Sequence, residues 1–367
     1  MIDFRVNSEM LAGALALASG VADRKSQVPI LANVVLRTDG PQALFIGATD
    51  LTVSFAATLS AEIRHNGGVT VGARQLFEIV RALPATELDV RTAEAHLLEI
   101  RSGRSYFKLL GLSDQSAPKL PDHREVAFSA VDGAAFRDMI GKTLFSVSTD
   151  ETRYHLSGVL FESDGTRLRM VSTDGHRLSM AERTMACPKL AQSHIVPRKG
   201  LIEINRALET LEGQSELGFA QGHLFVRIGA VCLAAKVIDA QFPPYEQVVP
   251  KENARWLDLD RVALLDALNR IKLLSSEKTR GIRLRLEPHL LELSSDNPDL
   301  GLAKEELEVA YDGAPMQIGF NARYLIDVLT HIDDKVVELG LNGELDPCVL
   351  RPKDRTDYLS VVMPVRR

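Results

Sequence analysis

Apolar residues recur at helical spacing in three runs of the chain that resemble one another. The runs are VGARQLFEIVRAL at 71–83, VPRKGLIEINRAL at 196–208 and FNARYLIDVLTHI at 320–332. In the middle run Leu201, Ile204 and Leu208 stand three and four positions apart, which places them on one stripe of a helix. Because the runs follow one another at a period of about 125 residues, the pattern indicates an internal repeat of domain size.

A second pattern keeps the same phase as these helices. Asp39-Gly40 and Asp164-Gly165 each lie between two apolar runs, and Asp-Gly favours a tight hairpin because both residues tolerate a positive φ. The third copy carries Pro288-His289 at this turn. A further helix is predicted ahead of each hairpin, at about 8–19, 133–147 and 260–274. Each repeat therefore predicts an α+β fold with two helices and mostly antiparallel sheet.

Two segments rich in proline and polar residues, 113–126 and 242–254, lack helical periodicity and are typical of linkers. They predict three domains in the 367-residue chain, at 1–125, 126–253 and 254–367. Hydrophobic residues make up 45% of the sequence, which is enough for a core in each domain. Only 5% of residues are aromatic, so leucine, valine and isoleucine must fill those cores.

The cysteines and the N-terminal stretch indicate a cytoplasmic protein. Cys187, Cys232 and Cys348 are widely separated, so the sequence signals neither a zinc site nor a disulfide framework. Met10–Ala18 has the apolar length of a signal peptide, but it lacks a positive flank, and the repeat makes it an ordinary helix. No run approaches the length of a membrane span.

Charge gives a mixed indication about nucleic acid. The formal net charge is −6, which is the wrong sign for a nucleic-acid binder as a whole. Basic residues nevertheless gather around the predicted helices, among them Arg137, Arg198 and Arg206, with acidic neighbours such as Glu203 between them. Taken alone, the pattern favours ordinary solvated faces, although a basic surface on one side would still bind DNA.

The run TDGHRL at 173–178 is the strongest candidate for chemistry. A histidine beside a carboxylate, here His176 and Asp174, can serve as a general base. No nucleophile elbow accompanies the pair, and for Asp174 a turn that accepts backbone N–H groups is the simpler interpretation. His176 and Arg177 are absent from the other copies, which indicates a role special to the second domain. An enzyme built on a triplicated scaffold around this pair remains one alternative.

The three α+β repeats, the runs TDGHRL and VPRKG, the segment FPPY and the ending VVMPVRR together resemble the bacterial sliding clamp, the β subunit of DNA polymerase III. The resemblance extends from Met1 to Arg367. It implies a processivity factor that is not an enzyme and binds no cofactor. Two chains of three clamp domains would close head to tail into a ring around double-stranded DNA, irrespective of DNA sequence. A DNA-repair or checkpoint accessory protein with the same ring fold is the other alternative.

The resemblance also implies partners that dock by short peptide motifs: the replicative polymerase, the clamp loader and repair factors. Their Leu and Phe anchors would enter a hydrophobic cleft between the second and third domains, with apolar walls and a few polar donors. The predicted cleft residues are Leu156, Thr173, Gly175, His176, Arg177, Leu178, Pro243, Val248, Val361, Met363, Pro364, Val365 and Arg366. Gln247 and Arg367 depart from the family pattern and leave the preferred peptide open.

Two further sets of residues follow from the resemblance and the charge pattern. The first set is predicted to face DNA: Arg24, Arg137, Lys142, Tyr154, His155, Arg198, Lys199, Lys278 and Arg280. The second set is predicted to form the dimer seam between the first domain of one chain and the third domain of the other: Arg74, Arg104, Phe107, Leu109, Leu273, Leu274, Asp299 and Glu305. Such a ring uses two different patches per subunit.

Overall fold

The computed structural model describes residues 1–84, 86–275 and 280–365. The first repeat contains β1 (Asp3–Asn7), α1 (Ser8–Val21), β2 (Asn33–Thr38), β3 (Ala43–Thr49), β4 (Val53–Ser60), β5 (Glu62–His65), β6 (Gly68–Gly72), α2 (Ala73–Ala82), β7 (Glu87–Thr92), β8 (Leu98–Ser102), β9 (Ser105–Leu109) and β10 (Gly111–Leu112). The second contains β11 (Ser129–Val131), α3 (Gly133–Leu144), β12 (Gly158–Ser163), β13 (Arg167–Thr173), β14 (Arg177–Thr184), β15 (His194–Pro197), α4 (Arg198–Thr210), β16 (Ser215–Ala220), β17 (His223–Ile228) and β18 (Val231–Lys236). The third contains β19 (Arg255–Asp260), α5 (Arg261–Ile271), β20 (Gly281–Glu287), β21 (Leu290–Asn297), β22 (Gly301–Glu308), β23 (Met316–Asn321), α6 (Ala322–Thr330), β24 (Val336–Leu341), β25 (Cys348–Pro352) and β26 (Tyr358–Val362).

Helices α1, α5 and α6 begin where the sequence supplies a capping side chain. The side chains of Asn7, Asp260 and Asn321 accept backbone N–H groups in the first turns of α1, α5 and α6. Helix α4 starts directly after Pro197, which cannot donate a backbone hydrogen bond. The predicted pair of helices in each repeat is therefore confirmed, and the α+β fold with it.

The hairpin turns have the backbone geometry that their residues favour. Gly40 has a φ of 77° and Gly165 a φ of 100°, the left-handed region that glycine enters without steric cost. The carboxylate of Asp164 accepts the N–H groups of Thr166 and Arg167 at 2.9 and 2.8 Å. In the third copy His289 takes the left-handed position, with a φ of 64°. The strands that flank these turns pair antiparallel, as predicted.

The chain forms two compact units, and these do not coincide with the repeats. The first comprises Met1–Arg137, Met185–Leu190 and Val196–Val237, and the second comprises Asp138–Thr184, Ala191–Ile195 and Ile238–Arg367. The three predicted domain boundaries remain a prediction. No helix in the described part of the chain is long and apolar enough to cross a membrane.

In the first unit, strands of two repeats join into one sheet. Its nine strands have the order β10-β6-β2-β3-β4-β18-β17-β16-β11, and a separate five-stranded sheet has the order β5-β1-β7-β8-β9. The junction is the antiparallel pair β4 and β18, with Phe55 opposite Leu233. The buried face of α4, which includes Leu201 and Ile204, covers this sheet near the junction.

The second unit repeats this arrangement with strands of the second and third repeats. Its eight-stranded sheet has the order β15-β12-β13-β14-β26-β25-β24-β19, and a four-stranded sheet has the order β22-β21-β20-β23. The junction is the pair β14 and β26, with Leu178 opposite Val361. The run TDGHRL, which leads into β14, is thereby placed beside the C-terminal strand.

A buried carboxylate lies where α4 packs on α1 in the first unit. Glu203 is 8% exposed, and its Oε2 has no hydrogen-bond partner within the described residues. It faces Gly20 so closely that a side chain there would collide with it. Burial raises the pKa of Glu203, and Asp50 raises it further, while Arg206 and Lys199 oppose the increase.

This pKa direction predicts a pH dependence of stability. A carboxyl whose folded pKa is raised stabilises the fold fully below its unfolded value near 4.5, and that contribution is lost as the pH rises through the folded pKa. We expect Glu203→Gln to remove this loss and to raise the free energy of unfolding at neutral pH by about 1 kcal/mol, the order of one unsatisfied buried group. Urea unfolding from pH 4 to pH 8 measures the free energy of unfolding of the wild type and of the variant. The exposed Glu212→Gln is the matched control, and parallel profiles for both variants would refute the assignment.

Candidate functional site

The run 173–178 forms a tight turn organised by Asp174. Its Oδ1 accepts the backbone N–H groups of His176 and Arg177 at 2.9 and 3.0 Å, and Gly175 has a φ of 86°. The hydroxyl of Thr173 donates to the carbonyl of Arg177 at 2.7 Å. The structural interpretation of Asp174 is thus correct, because its carboxylate is committed to backbone donors.

Arg177, a predicted cleft residue, lines the cavity, and much of its hydrogen-bonding capacity is used within the chain. Its guanidinium is buried and donates to Asp174, to Asp327 and to the carbonyl of Phe145, at 3.1, 2.6 and 2.7 Å. The rings of Phe145 and Tyr324 flank the guanidinium, at 5.3 and 4.8 Å from their centroids. Arg177 therefore fixes the turn onto α6 and forms part of the cavity wall.

His176 is exposed beside this buried arginine. Its imidazole stacks on Tyr324 with ring centroids 6.0 Å apart and planes 14° apart. Its carbonyl accepts the backbone N–H of Met363 at 2.8 Å. Two residues further along the chain, the backbone N–H of Val365 donates to the carbonyl of Gly319 at 2.8 Å. The segment after β26 is thus held by the turn on one side and by β23 on the other.

These elements enclose a cavity of about 130 Å³ with a mostly apolar lining. Its walls are Leu156, Thr173, Gly175, Arg177, Leu178, Pro243, Tyr245, Val248, Val361 and Met363. All but Tyr245 belong to the predicted cleft. The predicted residues His176, Pro364 and Val365 lie next to the cavity without lining it, and Arg366 lies outside the described residues. An apolar pocket with few polar groups suits a hydrophobic side chain of a ligand.

Most residues predicted to face DNA are at the surface. Arg24, Arg198 and Arg280 are exposed, Tyr154 is 58% exposed and His155 is half-buried. Arg137 binds Glu209 at 2.6 Å, and Lys199 donates to Asp50 and to the carbonyl of Val21. To bind phosphate, Arg137 and Lys199 would have to release Glu209 and Asp50 or share these carboxylates with it. Lys278 lies outside the described residues.

Lys142 is the exception, and its prediction as a DNA-facing residue is wrong. The residue is 4% exposed, and its ammonium binds Asp138 at 2.7 Å, one helical turn away. The ammonium also lies 5.5 Å from the ring centroid of Tyr358, whose pKa burial raises to about 12. Lys142 therefore stabilises the interior of the second unit, because a buried ammonium needs a paired carboxylate.

Most of the predicted seam residues lie on or near two sheet edges that have no further strand within the described residues, whereas Arg74 lies on α2. Strand β9, with Phe107 and Leu109, ends the five-stranded sheet, and β22, with Glu305, ends the four-stranded sheet. Leu273 is 72% exposed, and Leu274 beside it is half-buried.

The charged seam residues are divided between exposed turns and existing ion pairs. Arg104 and Asp299 stand in exposed turns beside these strands. Arg74 binds Glu78, and Glu305 binds Arg270, within the chain. Salt bridges between copies would therefore require Arg74 and Glu305 to exchange or share these partners.

Sequence reasoning missed two features of these surfaces. Tyr245 lines the cavity, and the alternation of apolar residues on β14 and β26 gave no indication of it, because it lies in a linker without periodicity. Leu302 on β22 is 67% exposed and Leu110 after β9 is 85% exposed, next to the predicted seam. Large exposed leucines beside an edge strand are a structural signal, visible only once the sheet order is known.

Comparison with known proteins decides the family. Family profiles of the DNA polymerase III beta subunit match the chain in order: the N-terminal domain at residues 2–121, the central domain at 130–244 and the C-terminal domain at 246–366. The chain belongs to the bacterial beta sliding clamp family. It is 36% identical to the beta sliding clamp of Pseudomonas aeruginosa over 366 residues and 34% identical to that of Escherichia coli K12 over 366 residues, covering 99% of each chain.

Solved structures of sliding clamps agree over the full length. The crystal structure of the DNA polymerase III beta subunit from Pseudomonas aeruginosa superposes with a TM-score of 0.94 at 35% identity, covering 100% of both chains. A sliding clamp from the same organism, bound to griselimycin, superposes with a TM-score of 0.93 at 35% identity, again covering 100% of both chains. As a member of this family the chain is a DNA polymerase processivity factor, not an enzyme, and DNA and polymerase are its partners. The alternative of an enzyme centred on His176 and Asp174 is therefore wrong.

Proposed function

We propose that the cavity beside the turn 173–178 is the partner-peptide site of a ring-forming clamp, and that replicative polymerase, clamp loader and repair factors share it. The observation that carries this proposal is the apolar cavity built from β14, β26 and the segment 243–248. Its apolar lining includes Leu156, Leu178 and Val361. A pocket of this size accepts one or two aliphatic or aromatic side chains, and such buried anchors carry most of the energy of a peptide contact.

Ring closure is proposed to use the two unpaired sheet edges. A long edge strand presents free N–H and C=O groups that pair readily with another chain. Strand β9 of one copy would pair with β22 of a second copy, with the predicted seam leucines packed beside the strands. Because the two patches differ, two copies joined head to tail would close into a ring with two equivalent seams. The same proposal includes three domains, at 1–125, 126–253 and 254–367, and a cytoplasmic location.

DNA would be held by the ring itself, with only loose contacts to its backbone. Exposed Arg24, Arg198 and Arg280 are the best placed candidates for phosphate contacts, because the described structure leaves their side chains at the surface. Such contacts attract any DNA sequence and weaken as salt rises. Enclosure does not depend on salt, so a closed ring would stay on DNA without ends. Tethering would then raise the effective concentration of a bound polymerase at its template.

Retention on circular DNA tests this function. The protein, loaded onto a nicked circular plasmid by a clamp loader with ATP, should co-elute with the plasmid in gel filtration even at high salt, because enclosure replaces electrostatic attraction. Cutting the plasmid once should release it. Release from circular DNA by salt alone would show electrostatic binding without enclosure. Retention after linearisation would show a fixed contact in place of sliding.

A further inference from the structure

Tyr245 connects the cleft to a polar network whose residues lie outside the cavity lining. The residue begins a short 3-10 turn, Tyr245–Gln247, within the segment that carries Pro243 and Val248. It is 4% exposed and belongs to a buried cluster with Leu160, Val171, Leu178, Ile195 and Val361. Tyr245 also lines the cavity, while its hydroxyl bonds to residues outside the cavity lining.

The hydroxyl of Tyr245 forms hydrogen bonds to a row of charged side chains that spans three neighbouring strands. It donates to Oε2 of Glu162 at 2.7 Å and accepts from Nη1 of Arg169 at 3.1 Å. Arg169 also donates through Nε to Glu182 at 2.7 Å. These three residues stand directly opposite one another on β12, β13 and β14, so the sheet register fixes their spacing. Burial, with the bond to Glu162, raises the pKa of Tyr245, so the hydroxyl keeps its proton.

Apart from those of Tyr245, the hydrogen bonds of the segment 243–248 to the described residues lie within its own turn, and its remaining packing is apolar. The carbonyl of Tyr245 accepts the N–H of Val248 at 3.0 Å, and the carbonyl of Pro244 accepts that of Gln247 at 3.2 Å, both within the turn. The ring of Phe242 packs edge-on against Tyr245, with centroids 6.4 Å apart. Apolar contacts alone permit sliding, whereas a hydrogen bond to a charged group fixes both distance and direction.

We propose that Tyr245 is a positioning residue for partner binding: its hydroxyl, held by Glu162 and Arg169, keeps the Pro243–Val248 wall of the cleft in its binding conformation. The proposal rests on the proposed function of the cleft. Without the hydroxyl the wall samples other positions, and peptide affinity falls in proportion to the fraction of molecules whose cleft is formed. Glu162 and Arg169 thereby contribute to affinity although they lie outside the cavity lining.

A double-mutant cycle tests the proposal. Isothermal titration of a polymerase-tail peptide bearing Leu and Phe anchors is carried out with the wild type, Tyr245→Phe, Glu162→Ala and the double variant. Tyr245→Phe keeps the ring that lines the cavity and removes only the hydroxyl. Each single variant should weaken binding about fivefold to tenfold, the range of one typical intramolecular hydrogen bond. The double variant should bind no more weakly than Tyr245→Phe, because loss of the hydroxyl already removes the bond that Glu162→Ala removes.

Tyr311→Phe is the matched control. Tyr311 is also buried, and its hydroxyl donates to the carbonyl of Ala314 at 2.7 Å and accepts from Arg255 at 3.1 Å, outside the cavity lining. Both Tyr→Phe variants should lower the melting temperature, but only Tyr245→Phe should weaken the peptide and speed hydrogen exchange at Gln247 and Val248. Equal affinity of the wild type, Tyr245→Phe and Glu162→Ala would overturn the proposal. Failure of the wild type to bind the peptide would instead overturn the proposed function of the cleft.

Discussion

Deletion of residues 363–367 should abolish partner-peptide binding and leave the chain folded. Met363 is part of the cavity wall, and its backbone N–H anchors the segment to the carbonyl of His176. Removing a methionine side chain that a bound peptide would bury costs ~2 kcal/mol, and the opened wall adds the loss of neighbouring contacts. We expect affinity to fall by more than about a hundredfold, since each 1.4 kcal/mol is a factor of ten. Strand β26 ends before the deletion and keeps its pairing with β14 and β25.

Titration of the polymerase-tail peptide into full-length and truncated protein measures this effect. Met363→Ala tests how much of the lost peptide affinity comes from this one side chain. It should weaken binding by about tenfold or more. Gln247→Ala is the control at the rim, because Gln247 is exposed and does not line the cavity. It should change affinity much less than Met363→Ala. Unchanged affinity of the truncated protein would remove the cleft from the proposed function, even if the ring itself formed.

The sequence predicted the fold because the same local signals occur three times. Apolar spacing of three and four residues, caps such as Asn7 and Asp260, and the Asp-Gly turns each act over a few neighbouring positions. Local signals of this kind can be read without knowing what packs against them. Repetition at a constant period then turned weak local signals into a prediction for the whole chain.

The side-chain roles were harder to predict, because they depend on which face of an element is covered. Lys142 stands on α3 among residues that look like a mixed-charge surface, yet Asp138 and Tyr358 enclose it. Arg177 occurs in an exposed-looking turn but reaches Asp327, which lies 150 positions further along the chain. Tyr245 ends the segment FPPY, which contributes to the family resemblance, but the residue pattern around it does not indicate a role in the cleft. In each case a contact distant in sequence decides the role, and neither periodicity nor composition contains that contact.

The combined substitution of Leu273→Ala and Leu274→Lys should convert the proposed ring into a folded monomer. Leu273 is 72% exposed in the chain and would be covered in the dimer. Losing one buried leucine costs ~2 kcal/mol, and an ammonium placed in an apolar seam adds a similar amount. A closed ring contains two equivalent seams, so the two losses apply twice. The dimer dissociation constant should rise by about six orders of magnitude, since each 1.4 kcal/mol is tenfold.

Sedimentation velocity, carried out over a range of concentrations, measures this shift from dimer to monomer. Leu345→Lys is the matched control, because Leu345 is 66% exposed but lies in the loop between β24 and β25, outside the proposed seam. It should leave the dimer intact. The monomeric variant should still bind the polymerase-tail peptide, because every wall of the cleft belongs to the second unit of a single chain. Loss of both dimer and peptide binding would indicate unfolding. A dimer that survives the double substitution would show that the seam lies elsewhere on the chain.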